Sequence, residues 1–199
     1  MNYLMEDIKR YSRYFSFDKW RDYLSFFYFI IFNECIWFIV SYRFGRWVRF
    51  KVKIPIIKTF LKVISFIIHK IVSLICGISI PFEVNIGKGL YIGHSGGIVI
   101  NAEAKIGDYC NLSPGVVIGQ GGRVGNKGVP SIGNYVYIAP GAKIFGKILV
   151  GDYVAIGANS TVNEDVPDNC VVAGVPSKIV NYKGSYDFIK ELYDIHSKK

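Results

Sequence analysis

Aliphatic residues return every six positions through the second half of the chain, and no other feature limits the fold as tightly. One series runs Ile100, Ile106, Leu112, Ile118, and another Ile132, Ile138, Ile144, Val150, Ile156, Val162. A small or turn-forming residue follows most of them, as in Ile106-Gly107-Asp108, Ile132-Gly133-Asn134 and Val150-Gly151-Asp152. A helix needs apolar spacings of three or four; a period of six with a corner residue after each aliphatic describes short strands joined by tight turns. Three hexads make one coil of a triangular parallel β-helix, with the aliphatics stacked inside as ladders.

Two places break the period. After Leu90-Tyr91-Ile92 the next aliphatic falls due at Ile98, yet the later series counts back to Ile100, so two residues are inserted around Gly93-His94-Ser95-Gly96-Gly97. Ile118 and Ile132 stand fourteen apart, two more than two hexads, and the polar, Gly-rich stretch 119–131 reads as a loop thrown out of the prism. Rule-breaking inside a regular repeat is where function is expected. His94 is the single histidine of the repeat region, and an imidazole titrates near neutrality, as a proton acceptor should. One histidine cannot supply the three-histidine zinc site of carbonic anhydrases built on the same prism, so no metal is expected.

The run Ile86-Gly87-Lys88-Gly89-Leu90-Tyr91-Ile92-Gly93-His94-Ser95-Gly96-Gly97-Ile98-Val99-Ile100, the 119–131 loop and Ala173-Gly174-Val175-Pro176-Ser177-Lys178-Ile179-Val180 together resemble the serine acetyltransferase family. Within it they look most like the capsular and exopolysaccharide O-acetyltransferase branch. The likeness covers about residues 78 to 183. It implies a left-handed β-helix and a homotrimer with acetyl-CoA in the grooves between neighbouring prisms. It also implies that His94 is the general base, removing the proton of an acceptor hydroxyl that attacks the thioester directly. By the same resemblance Gly119, Ala139, Gly157 and Gly174 are candidates to lie along acetyl-CoA, while Arg123, Lys127 and Lys178 are candidates for its phosphates. Gly93, Ser95 and Gly96 are the candidate acceptor positions. The second imidazole nitrogen needs an orienting acceptor, for which Glu83 or a backbone carbonyl would serve.

The chain departs from the family where the acceptor is chosen. Serine acetyltransferases carry Asp immediately before the catalytic His and another Asp fifteen positions upstream, where this chain has Gly93 and Ser79. Their Arg-His pair before the loop proline is here Gly128-Val129. An amino acid brings two charges that must be paired when water is removed; a neutral sugar hydroxyl brings none. The substitutions point to a sugar or glycan acceptor, with serine as the alternative and a non-catalytic scaffold or membrane-binding module as a rival of another class.

Residues 1–80 read differently. They are rich in Phe, Tyr, Trp and Ile, and they hold 13 Lys and Arg against 5 Asp and Glu, whereas 81–199 hold 11 against 10. Nearly all of the net charge of +9 therefore sits here. Leu24–Phe32 and Ile36–Val40 together barely reach spanning length and enclose Glu34. Lys58, Lys62 and Lys70 recur at multiples of four amid Phe60, Leu61, Ile64, Phe66, Ile67 and Ile71, an amphipathic helix with a basic stripe. Flanked by Arg43, Arg46, Arg49, Lys51 and Lys53, it suits an anionic bilayer or a cap on the prism. Bulky apolar residues between the basic ones argue against nucleic acid. Cys35, Cys76, Cys110 and Cys170 offer no close pair, and no secretory signal is apparent, which fits a reducing cytoplasm. The expected organisation is a helical segment at 1–80, a β-helix at 81–182 and a helical tail at 183–199. The expected location is cytoplasmic, peripheral at the inner face of the plasma membrane.

Overall fold

The computed structural model describes residues 2–122 and 127–189. Four helices come first: α1 (Asn2–Ser12), α2 (Trp20–Phe32), α3 (Glu34–Phe50) and α4 (Pro55–Cys76). Gly77, at φ +62°, ends α4 in the left-handed conformation that a helix C-terminus favours. The repeat starts at the next residue, Ile78, three positions before the boundary expected at Pro81.

The first coil comprises β1 (Ile78–Ser79), β2 (Asn85–Ile86) and β3 (Tyr91–Ile92), and the second β4 (Ile98–Ile100), β5 (Lys105–Ile106) and β6 (Asn111–Leu112). The third comprises β7 (Val117–Gly119), β8 (Ser131–Ile132) and β9 (Tyr137–Ile138), and the fourth β10 (Lys143–Phe145), β11 (Leu149–Val150) and β12 (Ala155–Ile156). The fifth holds β13 (Thr161–Val162) and β14 (Val171–Gly174), and β15 (Ser177–Asn181) folds back antiparallel on β14. Strands pair in parallel with those three places later as far as β13, and β12 then pairs with β14, giving faces of β1-β4-β7-β10-β13, β2-β5-β8-β11 and β3-β6-β9-β12-β14. Ladders such as Ile92, Leu112, Ile138, Ile156 and Val172 are buried inside. Cys110 and Cys170 fill the same corner ladder as Leu90, Val136 and Val154, as small apolar rungs.

The pairing register locates both breaks. Val99 pairs with Val117 eighteen residues on, whereas Ile78 pairs with Ile98 twenty residues on, so the two-residue insertion lies in the β3–β4 corner that holds His94. The other break differs from its expected form. β7 and β8 are consecutive sides of one coil, so 119–131 is a long insertion within one hexad rather than a slip across two. Of the helical tail expected at 183–199, residues 183–189 form turns, with Ser185 donating to Tyr135 O, Tyr186 stacked on Tyr153 and Phe188 on Tyr137, and residues 190–199 lie outside the described residues.

The first coil would otherwise leave a row of unpaired backbone groups, and α1 and α3 cover it. Tyr11 Oη donates to Ile92 O (2.8 Å), Tyr42 Oη to Val84 O (2.6 Å), and Arg10 to Gly89 O (2.7 Å). Arg43 donates to Ile86 O and Gly87 O and pairs with buried Asp7 at 2.7 Å; Asp7 also accepts from Leu90 N (2.8 Å). Arg46 donates to Phe82 O and Val84 O, and Arg49 lies 3.7 Å from the centre of the Phe82 ring. Two of the arginines expected to flank a membrane face, Arg43 and Arg46, are thus drawn inward because carbonyls of the first coil need donors, while Arg49 turns to the Phe82 ring and Ser65 Oγ. The stretch 24–40 is bent rather than one straight helix: α2 and α3 meet at 68° around Asn33.

Candidate active site

The two inserted residues force the β3–β4 corner into an unusual path. Gly96 has φ +110° and Gly97 φ +67°, and a Cβ on Gly96 would meet nothing within 4 Å, so the backbone rather than crowding demands glycine there. Gly96 N donates to Cys76 O, and Gly96 O accepts from Gly115 N, both at 2.8 Å. These bonds fasten the corner to the end of α4 and to the next coil. His94 rides on it, exposed to solvent.

The corners above His94 form one edge of the prism. Gly141 N donates to Pro114 O, Asn159 N to Pro140 O, and Gly174 N to Ser160 Oγ, which ties successive β-helix turns along this edge. Ala139, Gly157 and Gly174 therefore share an edge with His94, and Gly174 lies four rungs away, about 19 Å at the spacing of paired strands. Ala139 N and Gly157 N already donate to Ile156 O and Val172 O; Ala139 is buried, and a Cβ on Gly157 would lie 2.9 Å from Ala173 Cβ, so these two corners are small because the next coil packs against them. Lys178, on β15, is exposed beyond the last coil.

Other candidates fall elsewhere. Gly119 closes β7, paired with Phe145, and exposed Lys127 lies in the insertion that follows, both at the far end of the face that begins at the His94 corner. Arg123 lies outside the described residues. Glu83 occupies the β1–β2 corner, exposed and electrostatically linked to Arg49, one full strand pair before the β3–β4 corner. It is not the partner of His94. The chain has folded it toward the basic side of α3.

A different carboxylate reaches the site. Ser95 Oγ donates to Glu34 Oε1 at 2.8 Å, and Cys76 Sγ donates to Glu34 O at 3.2 Å. Glu34 opens α3, capped by Asn33 Oδ1 accepting from Ile36 N, and sixty-one residues separate it from Ser95. Only the interruption of an apolar run by an ionisable residue marked it in the sequence. Burial pushes the Cys35 thiol up to about 12 and Cys76 up to about 11, so neither supplies a thiolate nucleophile near neutrality. Among the described residues no group of three His, Cys, Asp or Glu is placed to hold a metal ion.

No family model matches the chain. It is 34% identical over 146 residues to a serine acetyltransferase of Synechococcus elongatus, covering 73% of this chain and 57% of that one. A serine acetyltransferase of Helicobacter pylori is 38% identical over 113 residues, covering 57% and 66%. The chain thus spans somewhat over half the length of such relatives. Among solved structures, serine acetyltransferase of Brucella abortus in complex with coenzyme A superposes with a TM-score of 0.73 at 28% identity, over 92% of this chain and 68% of that one. The Neisseria gonorrhoeae enzyme gives 0.71 at 26%, over 92% and 66%. The left-handed parallel β-helix is the fold shared with these structures.

Proposed function

Taking the chain as a member of the hexapeptide-repeat serine acetyltransferase family, we propose that it is an acetyl-CoA-dependent O-acetyltransferase with His94 as general base. The observation that carries this is the two-residue insertion. It lifts one exposed imidazole onto the edge of the prism that Ala139, Gly157 and Gly174 share.

Acetyl-CoA supplies an activated acetyl group. A neutral nitrogen of His94 accepts the proton of the acceptor hydroxyl as its oxygen bonds to the acetyl carbonyl carbon; the carbon–sulfur bond then breaks, and the imidazolium returns the proton to the departing sulfur. No acyl-enzyme is required. Glu34 holds Ser95 and, through it, the backbone that presents His94. Lys178 is suited to a nucleotide phosphate. The exposed edge is completed by a neighbouring prism in a homotrimer, which a mass measurement in solution tests.

The names of the relatives favour serine as acceptor. A sugar hydroxyl is the second reading, and a specific packing detail favours it. A Cβ on Gly128 would lie 2.5 Å from Lys147 Cβ, so where the family carries Arg the loop is closed against the next turn of the chain. Neither Gly93 nor Ser79 supplies an acid in its place. Release of free CoA from acetyl-CoA, measured with serine and with sugar nucleotides and oligosaccharides at matched concentrations, separates the two. A site that pairs both charges of serine should prefer it by about 10⁴-fold. Saturable turnover with serine alone removes the sugar reading; turnover with a sugar alone removes serine; none with any acceptor removes the proposal.

A further inference from the structure

We propose that the outward face of α4 is a docking surface for an anionic lipid bilayer, on which the protein lies peripherally. A helix on a soluble protein turns its apolar stripe inward. α4 does the reverse. Its buried residues are Ser65, His69 and Cys76. Ser65 Oγ accepts from Arg49, His69 Nε2 donates to Ile80 O (3.0 Å) with Ser41 Oγ on Nδ1 (2.9 Å), and Cys76 Sγ donates to Glu34 O. The inward side is thus selected by hydrogen bonding to α3 and the first coil.

The opposite side carries Ile56, Phe60, Val63, Ile67, Ile71 and Leu74 at helical spacing, each between 51% and 84% exposed. The chain contains no acidic residue between Glu34 and Glu83, while Lys51, Lys53, Lys62 and Lys70 are exposed in or just before α4. This charge selects the occupant. A second copy would set lysines against lysines across a two-fold contact, whereas anionic headgroups complement them and the lysine stems can reach outward past the apolar face. α4 is long and apolar enough to cross a membrane. Its polar stripe is nevertheless packed on α3, and Gly77 alone separates it from β1, so it is held flat against the rest of the molecule. One face in the interface and one on the protein describes a peripheral helix.

The test uses the full chain with phosphatidylcholine vesicles, with and without 30% phosphatidylglycerol, in a flotation assay. Wild type should float with the anionic vesicles, bind pure phosphatidylcholine less, and be released by 0.5 M salt or by carbonate. Ile67→Glu/Ile71→Glu alters only exposed positions and should stay at the bottom of the gradient, at least about tenfold weaker. Lys62→Gln/Lys70→Gln, which leaves every apolar contact in place, should weaken binding about fivefold per lysine. Circular dichroism confirms that both variants are folded. Absence of binding by wild type, undiminished binding by both folded variants, or retention after carbonate overturns the proposal. So does a vesicle-independent assembly that the glutamates dissociate, which would make a second copy the occupant.

Discussion

Replacing Arg43 with Met should destabilise the fold by about 3–5 kcal/mol at pH 8, and the deficit should shrink in acid. Arg43 ties α3 to both α1 and the first coil of the β-helix. Its guanidinium donates to Asp7 at 2.7 and 3.1 Å and to Ile86 O and Gly87 O. Asp7 is fully buried, and without Arg43 it keeps only backbone donors, at Leu90 and Gly89. Burial already holds the Asp7 carboxyl above its ordinary 3.8, with the hydrogen bond and charge of Arg43 opposing that rise. Removing Arg43 removes the opposition, so the folded-state value climbs further while the unfolded value stays put. The folded variant then keeps a proton that the unfolded chain releases. Its stability rises as pH falls through that raised value toward 3.8, by up to about 1.4 kcal/mol per pH unit. Urea denaturation of wild type and variant at pH 8 and pH 5 measures the difference directly. A deficit below about 1 kcal/mol, or one identical at the two pH values, would refute the view that Asp7 is a buried carboxylate dependent on Arg43.

Three further outcomes are expected. His94→Ala should lower kcat by about 10²- to 10⁴-fold while CoA affinity, read by calorimetry, stays within a few fold; near-normal turnover would exclude the general-base role. Glu34→Ala should release the Ser95 corner and lower kcat/KM by up to about 10²-fold, whereas Glu34→Gln keeps an oxygen for Ser95 and most of the activity, so equal loss in both would mean that Glu34 does not act by positioning that corner. His69 is held below its ordinary 6.5, chiefly by burial, so its contribution to stability is present above about pH 6.5 and lost as pH falls through the folded value. The stability difference between wild type and His69→Gln should therefore narrow below pH 6.5, and a flat difference would contradict a buried neutral imidazole.

The β-helix was legible because its cause is local. Each hexad carries its own strand and corner, so phase alone identified the ladders as far as Val162 and placed His94 at a two-residue insertion. The loop at 119–131 was visible as an interruption, but only pairing of β7 and β8 with their neighbours showed that the insertion falls within a single side. What lay beyond the sequence depends on which distant groups need partners. Glu34 reaches Ser95 across sixty-one residues because α3 is docked on the first coil, and Glu83, much nearer in sequence, is turned to another corner. Arg43 and Arg46 read as part of a basic patch and became donors to strand carbonyls at the end of the prism. α4 read as an amphipathic helix, and its composition said nothing of which side would face in. Hydrogen bonds from Ser65, His69 and Cys76 decided that, and by turning the polar stripe inward they left the apolar one outside.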